Sequence, residues 1–192
     1  MARPREFNRE QVLERAMQVF WSKGYTATSM RDLTDAMGLS KSSLYDTFGS
    51  KHDLFLESID YYRDNVSAQV RSVADLEKPA DQVILAVLSR AVDRILEPNG
   101  RRGCFLNNCA VEVGPTDEEA AERCRAGLRL MEETFLRLVR RAQLEGSISP
   151  TRDAVSLARY LTSTVNGIMV MGKANPDRAM LEDIVRVAAA SL

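Results

Sequence analysis

The residues from Gly24 to Leu56, GYTATSMRDLTDAMGLSKSSLYDTFGSKHDLFL, leave little freedom in how this chain folds. Thr28 or Ser29 caps a helix whose apolar residues Met30, Leu33 and Met37 recur at helical spacing. Gly38 supplies the left-handed residue that ends it. After Leu39, Ser40 is the next N-cap and opens a short helix from Lys41 to Phe48. Leu44 and Phe48, four apart, face inward, while Lys41, Ser42, Ser43 and Tyr45 face out. Two short helices joined by a tight turn containing glycine make a helix-turn-helix, whose second helix suits the DNA major groove.

The elements on either side extend this unit. Asn8-x-x-Gln11 reads as a capping box for a first helix with the stripe Val12, Leu13, Ala16, Val19 and Phe20, closed by Lys23-Gly24. Trp21, at its end, is expected to pack in or beside the DNA-binding end. Ser50-x-x-Asp53 is a second box and starts a long fourth helix through Leu54, Phe55, Ile59, Tyr62, Val66, Val70 and Val73. Lys51 lies in its first turn, where a cation opposes the helix dipole; an external phosphate would relieve that mismatch. Ahead of everything, Met1 to Phe7 forms a polar arm whose Arg3 and Arg5 suit phosphates or the minor groove.

Residues Ala16, Phe20, Lys23-Gly24-Tyr25, Thr28, Arg31-Asp32-Leu33, Ala36, Gly38-Leu39-Ser40-Lys41, Leu44-Tyr45, Phe48, Ser50-Lys51 and Leu54-Phe55 form an unbroken pattern. At these positions the chain resembles the N-terminal domain of the tetracycline-repressor-like (TetR-type) bacterial transcriptional regulators. It departs at Asp46-Thr47, where many relatives carry aromatic residues or histidine; an acid disfavours phosphate, so Asp46 is expected to point away from DNA or to cap something. The resemblance implies an all-α homodimer whose C-terminal domain receives a small-molecule signal. It divides the chain into a helix-turn-helix domain, 1–50, and a helical regulatory and dimerisation domain, 51–192. It also implies that Thr28 and Lys51 clamp the DNA backbone, completing a contact set with Ser40, Lys41, Ser42, Ser43 and Tyr45.

The remainder reads as five more helices. Pro79 suits the start of one carrying Val83, Val87, Ala91 and Ile95, which ends before Pro98-Asn99-Gly100. Arg101 to Cys109 forms one or two irregular helical turns, closed by Gly114-Pro115. Thr116 or Asp117 caps the longest helix, with the seam Ala120, Cys124, Leu128, Met131, Phe135, Leu138 and Ala142, ended by Gly146. Thr151 begins an eighth helix and Asn175-Pro176 a ninth. These last two carry more apolar surface than a monomer needs, so residues 151–190 are expected to pair with a second copy in a four-helix bundle.

If the chain follows its relatives, the fourth to eighth helices enclose an effector pocket. Candidate lining residues are Tyr62, Cys104, Phe105, Asn108, Met131, Phe135, Tyr160, Asn166 and Met169. Cys124 lies on the apolar seam and is expected to be buried. Cys104 follows Arg101-Arg102-Gly103, a setting that favours thiolate, and Cys109 lies five residues on. This raises an alternative in which Cys104 senses electrophiles or oxidants.

Composition narrows the classes. Residues 1–51 hold 8 Lys+Arg against 6 Asp+Glu and the rest 18 against 21, so +2 and −3 make up the overall −1. That modest balance opposes a general architectural DNA binder; only the placement of Arg3, Arg5, Lys41 and Lys51 gives it meaning. No apolar run reaches the roughly 18 residues of a membrane span, and no signal-peptide core is present, so a cytoplasmic protein is expected. Three cysteines and the single His52 match no zinc spacing, and no cofactor loop is recognisable. A thiol enzyme built on Cys104 lacks a general base, since His52 belongs to the DNA-binding end.

Overall fold

The computed structural model describes residues 7–192, and the proposed contacts of Arg3 and Arg5 lie outside the described residues. Nine α-helices account for the fold, with no strand among the described residues. They are α1 (Arg9–Lys23), α2 (Met30–Met37), α3 (Lys41–Phe48), α4 (Lys51–Ala74) and α5 (Ala80–Leu96), then α6 (Phe105–Glu112), α7 (Glu118–Glu145), α8 (Ala154–Ala174) and α9 (Arg178–Ala190). A single 3-10 turn, Gly100–Arg102, precedes α6.

Each helix start has a local cause. Asn8 Oδ1 accepts from Glu10 and Gln11 N–H at α1, and Ser29 and Asp32 close a full capping box at α2. Ser40, Ser50 and Asp117 accept from the third residue of α3, α4 and α7. The α7 cap is therefore Asp117 rather than Thr116. Two expected starts shift: α8 is capped by Asp153 and α9 by Asp177, leaving Thr151 and Asn175-Pro176 in the preceding turns. In both cases the aspartate lies three residues before an amide that it can bond, and Thr151 instead bonds Ser149.

Two hydrophobic cores stack end to end. The first joins α1, α2, α3 and the first half of α4 to α6 and the start of α7, around Phe20, Leu33, Leu44, Phe55, Ile59 and Phe105. Phe55 is the hub, with ring centroids 5.1 Å from Phe20, 4.5 Å from Tyr25 and 6.2 Å from Phe105. The second joins α5, the second half of α7, α8 and α9. Only α4 and α7 are long enough to run through both. Where the two cores meet, the α7 seam loosens: Leu128 is exposed and Met131 half-buried, although both fall on the helical repeat. Both side chains line a cavity, and Met131 borders it while packing on the second core.

Candidate functional site

The outward face of α3 follows from how its inner face is held. Gly38, at φ 68° and ψ 28°, ends α2 in the left-handed region, its N–H bonding Thr34 O, so that Ser40 can begin α3 directly. Leu44 and Phe48 are buried, and the Arg9 guanidinium lies 4.8 Å from the Phe48 ring while also pairing with Glu57. Lys41, Ser42 and Tyr45 are left exposed, with Lys41 Nζ 5.9 Å from the Tyr45 ring centroid. Ser40 Oγ lies 2.9 Å from the hydroxyls of both Ser42 and the half-buried Ser43, forming a small hydroxyl cluster at the helix start. Lys51 Nζ rests 4.4 Å over the Tyr25 ring.

One expectation here needs correcting and a second narrows. Thr28 is buried at 2% exposure, and its hydroxyl donates to Gly24 O, so its side chain holds the turn and is not available to a DNA phosphate. Asp46 caps nothing among the described residues. It is exposed, has no hydrogen bond among the described residues, and stands four residues after Ser42 on the same strip.

Three contacts tie this unit to the rest of the chain. The Glu112 carboxylate, at the end of α6, accepts from Tyr25 N–H at 3.0 Å and Thr26 N–H at 2.8 Å. Gly24 makes that approach possible: at φ 82° it has left-handed backbone, and a Cβ there would lie 2.6 Å from a Glu112 oxygen. Burial opposes ionisation of Glu112, but the two amide bonds outweigh it and hold its pKa below the ordinary value. His52 Nε2 lies 2.8 Å from Asp117; that carboxyl is likewise lowered, burial being outweighed by bonds from Ala120 N–H and His52. Finally, Arg102 donates to Gln18 Oε1 and stacks 4.0 Å over Trp21.

A cavity of about 350 Å³ opens between α4, α5, α6, α7 and α8. Of the residues expected to line it, Tyr62, Cys104, Met131, Asn166 and Met169 do. Phe105 and Phe135 do not, because each is wholly buried in one of the two cores. Asn108 is turned away, donating to Arg102 O and accepting from Lys173 Nζ, and Tyr160 lies on the outer face of α8 at 40% exposure. Sequence reading missed Arg94 and Asn107. Arg94 had a signal, since it falls seven residues after Val87 on the buried stripe of α5. Its Nη2 donates to Tyr62 OH at 3.0 Å.

The three cysteines differ in surroundings. Cys104 is half-buried and lines the cavity. Cys109 and Cys124 are buried; burial pushes the Cys109 thiol far up and the Cys124 thiol to about 11. Burial also raises the Tyr62 phenol well above its ordinary value, so the hydroxyl that accepts from Arg94 is neutral.

Comparison with known proteins accords with both halves. Residues 12–58 match the model of bacterial regulatory proteins of the tetR family, and residues 81–188 that of the tetracyclin repressor-like C-terminal domain. The chain is 31% identical to the uncharacterized HTH-type transcriptional regulator YezE of Bacillus subtilis, over 98% of this chain and 97% of YezE. It is 28% identical to the HTH-type transcriptional repressor ComR of Escherichia coli, over 99% and 90% respectively. Among solved structures it resembles a cysteine mutant of the TetR family regulator CifR complexed with 26-base-pair operator DNA, at a TM-score of 0.88, 31% identity and 98% coverage of each chain.

Proposed function

This chain belongs to the tetR family of bacterial regulatory proteins, and from that premise we propose a dimeric repressor released from its operator by a small molecule. It is a DNA-binding transcriptional regulator and not an enzyme. The observation that carries the proposal is the α3 face: Lys41, Ser42 and Tyr45 stand exposed on a short helix whose other side is pinned by Leu44 and Phe48. Lys41 and Tyr45 grip phosphate, Ser40, Ser42 and Ser43 lie along the groove, and Lys51 clamps the backbone from the start of α4. One such helix offers few base contacts, so two are needed, about 34–36 Å apart on a palindrome. Exposed apolar side chains support the pairing: Tyr160, Val170 and Met171 on α8 and Val187 on α9 are 40–58% exposed. The protein works where the chromosome is, in the cytoplasm.

Release works through α6. Leu106 and Asn107 in its first turn, beside Cys104, wall the cavity, and its last residue, Glu112, holds the loop before α2. Eight residues of helix span about 12 Å, so a ligand that displaces the first end moves the clamp at the other. A differential affinity of about 1–3 kcal/mol between the two states is typical of such coupling. Fluorescence anisotropy on operator duplex tests the α3 assignment. Lys41→Ala and Tyr45→Ala are expected to weaken binding at least tenfold with thermal stability unchanged; unaltered affinity in both variants contradicts it.

A second reading is favoured by the position of Cys104, which alone of the three thiols lines the cavity. Its thiolate would add to the β-carbon of an enone that enters, with a solvent proton taken up at the α-carbon, and the adduct would act as a tethered effector. Cys104→Ser is then expected to abolish release by enones; release that persists in the variant eliminates the covalent route.

A further inference from the structure

The surface of the cavity is mainly apolar, but its charges are one-sided. Five arginines line it against a single carboxylate, Glu133, which is solvent-exposed. Three of the five have partners outside the cavity: Arg63 with Asp60, Arg90 with Glu97 and Arg137 with Asp75, at 2.6, 3.6 and 3.3 Å. Arg94 differs. It is half-buried, stacked with its guanidinium carbon 5.5 Å from the Tyr62 ring centroid and 5.9 Å from that of Trp21. Among the described residues it meets no carboxylate, and its one hydrogen bond goes to the neutral Tyr62 hydroxyl. A half-buried cation without a counter-charge is unfavourable unless something supplies one. A second donor is also unanswered on the same lining: Asn107 Nδ2 is buried with no acceptor.

We propose that the effector is an amphipathic organic anion, with an apolar body among Val66, Val70 and Met131 and a carboxylate or sulfonate head received by Arg94 and Asn107. The inference rests on the cavity being the effector site. A planar guanidinium fork matches such a head, and a charge-assisted bond in a half-buried setting is stronger than a neutral one. The same end of the cavity reaches the DNA-binding unit, because Arg94 shares the Trp21 ring with Arg102, which holds Gln18 of α1. An anion drawing Arg94 inward therefore disturbs the joint to α1 directly, whereas a neutral ligand of the same shape fills the cavity without pulling on it.

A matched pair of fluorescent probes separates the two claims. The first is 1-anilinonaphthalene-8-sulfonate, and the second is N-phenyl-1-naphthylamine, the same ring system without the anion. On the full chain both are expected to bind at one per protomer and compete with each other. The sulfonate binds at least tenfold more tightly and alone lowers operator affinity. Arg94→Met is expected to remove that preference while leaving affinity for the neutral probe within about twofold, which also reports that the variant is folded. Asn107→Leu reduces the preference in part. Equal affinity for the two probes, or a preference that survives in Arg94→Met, overturns the anionic effector and leaves the cavity assignment standing. If the neutral probe fails to bind as well, the cavity assignment falls with it.

Discussion

Thr28 and Ser29 are neighbours with the same functional group, and the fold puts them to different uses. Ser29 caps α2 from the surface, while Thr28 is buried with its hydroxyl spent on Gly24 O. Sequence alone offered both as caps, since the choice depends on how the preceding loop packs against Phe20 and Phe55. Asp46 shows the same limit. Its place on the exposed strip of α3, four residues from Ser42, suits it to accept from the N4 amino group of a cytosine in the major groove. Asp46→Asn is therefore expected to relax preference at one base pair per half-site by about 1–3 kcal/mol, measured by competition among duplexes varied at that position. Unchanged base preference contradicts the assignment. At Glu112 the expectation concerns stability. Removing the carboxylate in Glu112→Ala leaves the Tyr25 and Thr26 amides without their acceptor, and because the site is largely exposed the cost is about 1–2 kcal/mol in denaturant unfolding.

Among the elements, those with strong local signals were legible. The α1 to α4 starts follow from Asn8, Ser29, Ser40 and Ser50, and the α7 repeat predicts a helix that does run from Glu118 to Glu145. The short helix α6 was readable only as one or two irregular turns, because its role depends on partners far away in sequence: Glu112 meets Tyr25 some 87 residues earlier. The same distance explains the cavity. Met131 and Phe135 look equivalent on the α7 stripe, yet Met131 borders the cavity while Phe135 is wholly buried in the second core. The α6 and α7 joints also give a pH signature. Glu112 and Asp117 have folded-state pKa values below their ordinary 4.5 and 3.8. Their stabilisation is complete above about pH 5 and is lost as pH falls through the ordinary values toward the depressed ones. The melting temperature should drop between pH 5 and 3 less steeply in Glu112→Gln than in the native chain; parallel curves would exclude a contribution from this joint.

At the scale of the whole molecule, two stacked cores threaded by α4 and α7 make up the chain, and the proposed function needs two such chains. The apolar side chains left exposed on α8 and α9 suit the proposed dimer face, so a charge at Val170 or Val187 should yield monomers in sedimentation velocity that retain native helicity. Such monomers bind a half-site only weakly, since each offers a single recognition helix. Pairing therefore decides whether the α3 face becomes a sequence-specific reader, and selection from a random duplex pool is the direct test. The native chain is expected to enrich a palindrome whose half-sites are centred one helical turn, or a multiple of it, apart, with Lys41→Ala enriching nothing above background. Enrichment of a single asymmetric site, or of no sequence at all, would contradict the dimeric reader described here.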